Sequence, residues 1–453
     1  MYHTVKRKAR AKANKDSENE TKISTRGGAI PHDTEVPCLF AQKLMNRDAE
    51  VLKSLGEQLA QIANLPIQNE KKKMWRELNG LKMVRPMVCM DQLPWHELNV
   101  NNELTLLCED EFLRSVERDI RRILYRWKYF PADMVVENRV DVPKVVHGLN
   151  YGYTIIEETR ATDKDNDVVS HKYIDQCETE EDLAALQPDE IKSDIALDKE
   201  HKDICEHIFK DIIPVRLSGV EIHAGAWDRI AQARSMTNML YDMIERPDFI
   251  RQVAEKFRDL TISTVNQCQE LGLLDAENPL VHCTGSYTDE LPTKDYNPKK
   301  PLAKDCWAFG MSQPFSTVSP ATHEEFEIDI MKPLYERFGL LYYGCCEPLH
   351  DRIHVVRKIN NIRKISVSPW ANVDESAEKI SGDYVFSGKP HPAYIAAGTL
   401  QEEEIKKQIT HAMEACKRNN TSCEFILKDV STVSGRPEVL TQWEKLVMSL
   451  VKK

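Results

Sequence analysis

The chain has 453 residues, of which 41% are hydrophobic and 29% charged, a composition typical of globular proteins with a large core. The formal net charge of −11 argues against a nucleic-acid-binding protein, and the sequence lacks the long apolar run of a membrane span. Twelve cysteines, with no apolar run after the basic first residues, predict a cytoplasmic protein with free thiols.

The first part of the chain reads as a helical extension. Residues 1–36 are polar and are predicted to form a mobile arm. Residues 37–130 form a predicted helical segment, with apolar residues at helical spacing over 41–62 and 109–129 and a short buried strand at 85–90 between them.

Residues 131–453 alternate between short apolar runs and amphipathic stretches, which predicts parallel strands with crossover helices. A charged insertion near 157–205 interrupts this pattern. The predicted strands are 133–137, 212–217, 279–283, 306–311, 340–344, 364–368, 384–387 and 424–427. Eight strands predict a TIM-type (β/α)8 barrel; the alternative is a doubly wound open sheet, which the lack of a Gly-rich nucleotide fingerprint disfavours.

Catalytic groups of such barrels lie at the carboxyl ends of the strands. Cys345, Cys346 and Glu347 follow the strand 340–344, and His282 lies in another predicted strand. Thiolate, carboxylate and imidazole are zinc ligands, so we predict a site here, with zinc bound by Cys346, Glu347 and His282. The alternative is that Cys345 packs as a small hydrophobic residue and Cys346 lines a pocket without a metal.

Further strand-end residues are candidates for substrate contacts. Lys389 either binds an anionic group or is solvated, and His223 either contacts substrate or is a structural hydrogen-bonding residue. Gln313 follows the strand 306–311 and is expected to face substrate. Trp307 and Trp370 form pocket walls or simply pack.

The order of elements and several motifs over residues 80–453 resemble the uroporphyrinogen decarboxylase superfamily. The motifs are Ser-Pro-Ala-Thr-His-Glu-Glu-Phe at 319–326, Tyr-Gly-Cys-Cys-Glu-Pro-Leu at 343–349, Ile-Ser-Val-Ser-Pro-Trp at 365–370, and Phe-Ile-Leu at 425–427 followed by Gly-Arg-Pro-Glu at 435–438. The resemblance implies a TIM-type barrel with a deep cleft, dimeric in many members. That superfamily contains heme-pathway decarboxylases and corrinoid-dependent methyltransferases.

The decarboxylase branch uses an arginine-rich loop to bind a tetrapyrrole, and the corresponding residues 87–97 here contain no arginine. Asp141 stands where the resemblance places the catalytic aspartate; read alone, it is a site carboxylate or a helix cap. The methyltransferase branch holds zinc with a His-x-Cys pair and a later cysteine. Cys346 matches the first cysteine, whereas Gly344 and Asp429 replace the other two ligands.

Three functions follow from these observations. The first hypothesis is a methyltransferase-like enzyme that acts on a small methylated substrate with a thiol or a partner protein carrying a corrinoid. The second is a decarboxylase or lyase that uses Asp141 as acid or base and Lys389 to hold a carboxylate. The third is a barrel that binds a ligand without catalysis.

Overall fold

The computed structural model describes residues 38–161 and 169–452, so the predicted arm 1–36 lies outside the described residues. The strands are β1 (Met87–Met90), β2 (Val140–Pro143), β3 (Val146–His147), β4 (Glu157–Arg160), β5 (Ser170–Tyr173), β6 (Lys192–Ser193), β7 (Val215–Ser218), β8 (Leu280–Val281), β9 (Thr284–Gly285), β10 (Trp307–Gly310), β11 (Leu340–Tyr343), β12 (Ile362–Val367), β13 (Val385–Gly388) and β14 (Cys423–Leu427).

The α-helices vary in length from a single turn to more than six turns. They are α1 (Cys38–Ala63), α2 (Pro66–Asn79), α3 (Trp95–Leu98), α4 (Glu111–Tyr129), α5 (Glu180–Ala185), α6 (Ile195–Ile208), α7 (Ala226–Arg234), α8 (Met236–Glu245), α9 (Pro247–Glu270), α10 (Pro320–His323), α11 (Asp329–Tyr335), α12 (Ile353–Val356), α13 (Val373–Ile380), α14 (Ala393–Ala396), α15 (Glu402–Arg418) and α16 (Glu438–Val451). A π-helical turn, Glu324–Ile328, joins α10 to α11.

A curled six-stranded parallel sheet with the order β1-β14-β13-β12-β11-β10 forms the centre of the fold. Its strands are almost entirely buried because helices cover the sheet, as parallel sheets require. The first strand pairs with the last one, with Val88 opposite Phe425. All six carboxyl ends therefore lie along one edge of the sheet, where a site can form.

The predicted eight-stranded barrel is only partly found, since six strands share one sheet within residues 38–161 and 169–452. The predicted strand 133–137 is wrong, because these residues are a loop in which the buried Asp133 accepts hydrogen bonds from Arg85 and from the N–H of Val88. The predicted strand 279–283 is wrong too, because β8 turns back on β9 as an antiparallel hairpin. An isolated parallel bridge from His223 to Phe309 extends the sheet beyond β10.

From residue 306 onward, the strands that the sequence predicts are found. The strands β10 to β14 lie within one or two residues of the predicted runs. Ser235 separates α7 from α8, because its φ of +68° interrupts helical geometry while its side chain caps α8.

Elements outside the large sheet form smaller units. The strands β2 and β7 pair in parallel, and β4 and β5 form an antiparallel hairpin within the charged insertion. Leu52, Leu59 and Phe209 belong to a second hydrophobic cluster between the N-terminal helices and α6. No helix in the described ranges is long and apolar enough to cross a membrane.

Candidate active site

Gly344 makes the turn that carries the two cysteines out of β11. Its φ is +92°, and a Cβ at this position would lie 2.5 Å from Leu349 Cδ1 and 3.1 Å from the Cβ of Ser366. A side chain is therefore excluded by both backbone conformation and space. The resemblance to the methyltransferase branch would place a histidine at position 344. The turn would have to change its conformation to accommodate one.

The side chain of Glu347 holds the same turn in place. This side chain is fully buried, and its two carboxylate oxygens accept hydrogen bonds from the N–H of Ser312 at 3.0 Å and of Cys345 at 2.9 Å. Both oxygens are thus used by backbone donors of two neighbouring strand ends. Glu347 positions the cysteines, and this arrangement differs from the ligand role that the sequence predicts for it.

Cys345, Cys346 and Asp429 form a cluster in which the two sulfurs and a carboxylate oxygen all lie within 4.8 Å of one another. The two sulfurs are 3.6 Å apart, and the Sγ of Cys346 is 3.4 Å from Oδ2 of Asp429. Tetrahedral zinc with bonds of about 2.3 Å to sulfur and about 2.1 Å to oxygen gives edges of about 3.8 Å and about 3.6 Å. The donor set therefore fits zinc with an open fourth position, and Asp429 is the most exposed member.

Lys428 and His282 lie against the buried side of this cluster. The ammonium of Lys428 is 2.9 Å from Cys345 Sγ and 3.0 Å from Nε2 of His282. The hydrogen bond with Cys346 and then the charge of Lys428 lower the pKa of Cys345, against the effect of burial. Burial and the same ammonium lower the pKa of His282 to about 2, so its ring is a neutral acceptor. His282 also stacks on Phe309 with ring centroids 3.8 Å apart.

Asp228, which the sequence analysis does not identify, contacts Gln313, a predicted substrate-binding residue. Gln313 donates from Nε2 to Oδ2 of Asp228 at 3.1 Å. Burial and the charge of Glu347 raise the pKa of Asp228 to about 6. His223 lies on the same side, since a Cβ on Gly225 would meet both its ring and Met311, and burial lowers its pKa to about 4.

Lys389 extends from the end of β13 into the sheet interior, and it is buried rather than solvated. Its ammonium donates to the hydroxyls of Tyr342 and Ser387. Burial lowers the pKa of Lys389. A deeper ion pair of the fully buried Lys364 and Glu424, 2.9 Å apart, continues this polar network toward the other end of the strands.

The two tryptophans lie apart from the cysteines. Trp307 begins β10, so it is at the amino end of the strand, where its Nε1 donates to the carbonyl of Ser286 at 2.8 Å. Trp370 is 67% exposed and contacts the ring of His391 edge-on. These positions match packing and surface roles.

Asp141 lies on β2 in an ion-pair network. Its Oδ1 accepts from Nε of Arg139 at 3.0 Å and from Nε of Arg216 at 2.7 Å. Arg216 also binds the carboxylate of Asp275 with two hydrogen bonds. Two guanidinium groups on one carboxylate oxygen are the arrangement of a structural ion pair that ties β2 to β7.

The sequence contained a signal for part of this site. Lys428 and Asp429 directly follow a predicted strand, and only the resemblance noted in the sequence analysis would place a metal ligand at Asp429. The pairing of these two residues with the thiols depends on the order of β11 and β14 in the sheet, which no local pattern reveals.

No model of a known protein family matches the sequence, and no curated protein matches it. Among solved structures, the chain is similar to a methyltransferase from Methanosarcina mazei, with 11% identity, 83% of this chain and 98% of the other covered, and a TM-score of 0.47. Similarity of this extent does not establish a shared activity.

Proposed function

We propose that the protein is a methyltransferase-like enzyme in which Cys345, Cys346 and Asp429 hold zinc and activate a thiol. The observation that supports this proposal is the cluster of two cysteine sulfurs and one carboxylate, whose spacing fits a tetrahedral ion with one open position. When bound, zinc would lower the pKa of a coordinated substrate thiol and keep it as the nucleophilic thiolate.

The chain's own residues would prepare the site for this chemistry. Glu347 and Gly344 fix the turn, so both cysteine sulfurs face Asp429 without rearrangement. Asp429 is 47% exposed, which leaves a route for a thiol to reach the cluster. In the transfer itself, the bond between the methyl carbon and its donor breaks as the carbon–sulfur bond forms.

The other side of the site provides groups for substrate binding. Asp228 and Gln313 offer one carboxyl and one amide, and we propose that they contact the thiol substrate. A corrinoid carried on a partner protein remains our proposal for the methyl donor. Decarboxylation through Asp141 is not supported, because two arginines already bind its carboxylate.

Metal content and methyl transfer test this proposal together. We expect about one zinc per chain in the purified protein, lost in Cys346→Ser and in Asp429→Asn. Cys306→Ser is the control, since Cys306 is buried outside the cluster. The zinc-loaded protein should also demethylate free methylcobalamin in the presence of 2-mercaptoethanol, as seen in the corrinoid absorbance.

Two results would overturn the proposal. Zinc that survives both substitutions would place the metal elsewhere. A stoichiometric zinc-loaded protein that leaves the corrinoid spectrum unchanged with every thiol and with every methylated corrinoid protein tried would contradict methyl transfer.

A further inference from the structure

The ammonium of Lys428 has the surroundings of a bound cation. Its Nζ lies 2.9 Å from the Sγ of Cys345, 3.0 Å from Nε2 of His282 and 3.4 Å from Oδ2 of Asp429. Two of these three atoms belong to the cluster that fits zinc. The third, His282, is the imidazole that the sequence predicts as a zinc ligand.

The fold itself places the side chain of Lys428 inside the protein. Its side chain is 2% exposed and follows β14 directly, so the sheet fixes its starting point at the carboxyl edge. A buried ammonium in this position requires the negative charge of the thiol cluster to stabilise it.

An ion cannot bind this cluster without affecting Lys428. An ion bonded to Cys345 Sγ at about 2.3 Å would lie within roughly 5 Å of the ammonium nitrogen. Two cations this close in a buried site repel strongly, because little water separates them. The ammonium must therefore move away before a divalent ion occupies the cluster.

We propose that Lys428 is a tethered competitor of the metal, and that its ammonium supplies the positive charge of the site when no ion is bound. This inference rests on the zinc cluster of the proposed function. It adds a residue that regulates whether the cluster binds an ion. The site is consequently built for reversible rather than permanent metal binding.

The test compares the zinc affinity of the full chain with and without this ammonium. Chelator-treated, reduced protein is titrated with zinc against a chromogenic chelator, and cobalt(II) replaces zinc where thiolate absorption bands are used as the readout. Lys428→Met removes the charge and keeps the length, and we expect it to bind zinc about tenfold more tightly or better. Lys428→Gln serves as a second variant if the methionine variant unfolds.

Lys389→Met is the matched control. Lys389 is also a buried ammonium at the sheet edge, but its hydrogen bonds go to Tyr342 and Ser387. Its removal should change zinc affinity by less than about threefold, because a more distant charge acts only weakly. A similar gain in both lysine variants would mean a general charge effect and would overturn direct competition.

The outcomes separate this inference from the proposed function. If Lys428→Met binds zinc no more tightly than the natural chain, the competitor role is wrong, while loss of zinc in Cys346→Ser would still support the cluster. If zinc binds only after Lys428 is removed, the competitor role holds and the proposed zinc enzyme is wrong. If neither protein binds zinc, both are overturned.

Discussion

The carboxylate of Glu347 accepts the backbone N–H of Cys345 at 2.9 Å, and its other oxygen accepts that of Ser312. A buried acid thus holds the turn that presents both thiols. We expect Glu347→Gln to lower the free energy of unfolding by about 1–3 kcal/mol, because one backbone N–H would face an amide donor. Urea unfolding measures this, and the exposed Glu50→Gln should have little effect. Equal stability of both variants would refute the role of Glu347.

A second prediction concerns Gly344, for which Gly435 is a close control. Gly344 and Gly435 both have positive φ, but only Gly344 has atoms within 4 Å of an added Cβ. Gly435→Ala should lower the free energy of unfolding by about 1–2 kcal/mol from backbone conformation alone. Gly344→Ala should lower it by about 2–4 kcal/mol, since the contact with Leu349 adds to that cost. Equal losses in urea unfolding would show that the turn has room for a side chain.

The buried pair of Lys364 and Glu424 provides a third prediction. Both side chains are fully buried, and Glu424 also accepts hydrogen bonds from Thr284 and Ser387. Removing one partner leaves an unpaired buried charge, so Lys364→Met should cost about 3–5 kcal/mol of unfolding free energy. Lys199→Met breaks the exposed pair with Asp203 and should cost less than about 1 kcal/mol. Comparable losses of unfolding free energy in Lys364→Met and Lys199→Met would contradict the stabilising role of the buried pair.

We predict that Glu327 makes the free energy of unfolding depend on pH. Burial raises its pKa to about 8 from the ordinary value of 4.5, so the folded state keeps a proton that the unfolded state releases between these values. The contribution of Glu327 to stability is therefore lost as pH rises through this window. Glu327→Gln should gain stability relative to the natural chain between about pH 5 and about pH 8. A constant difference would be evidence against the raised pKa, and the exposed Asp329→Asn should show such a constant difference.

The sequence predicts the strands β10 to β14 and the helices at 41–62 and 109–129 well, whereas the predicted strands at 133–137, 212–217 and 279–283 do not join the central sheet. The runs that become β10 to β14 are apolar and buried on both faces, so composition alone marks them. Residues 133–137 also contain an apolar run, Met-Val-Val at 134–136, yet the ion pair of Asp133 with Arg85 holds them as a loop. That contact joins residues 48 positions apart, and local periodicity carries no information about it.

The residues of the candidate site also differ in how far the sequence predicts them. The cysteine turn is identifiable because it follows a strand, and the two thiols are adjacent in the chain. The bonds from Cys346 to Asp429 and from Lys428 to Cys345 each span 83 residues, so only the folded sheet brings them together. The role of Glu347 was harder to predict, because the direction in which its carboxylate points depends on Ser312 of another strand end.

Zinc K-edge X-ray absorption of the loaded protein tests most directly whether Cys345, Cys346 and Asp429 bind zinc. We expect two sulfur ligands at about 2.3 Å with oxygen or nitrogen completing the shell, and no zinc edge from Cys346→Ser prepared in the same way. A shell of oxygen and nitrogen alone, or an unchanged zinc spectrum from Cys346→Ser, would show that zinc does not bind to these residues.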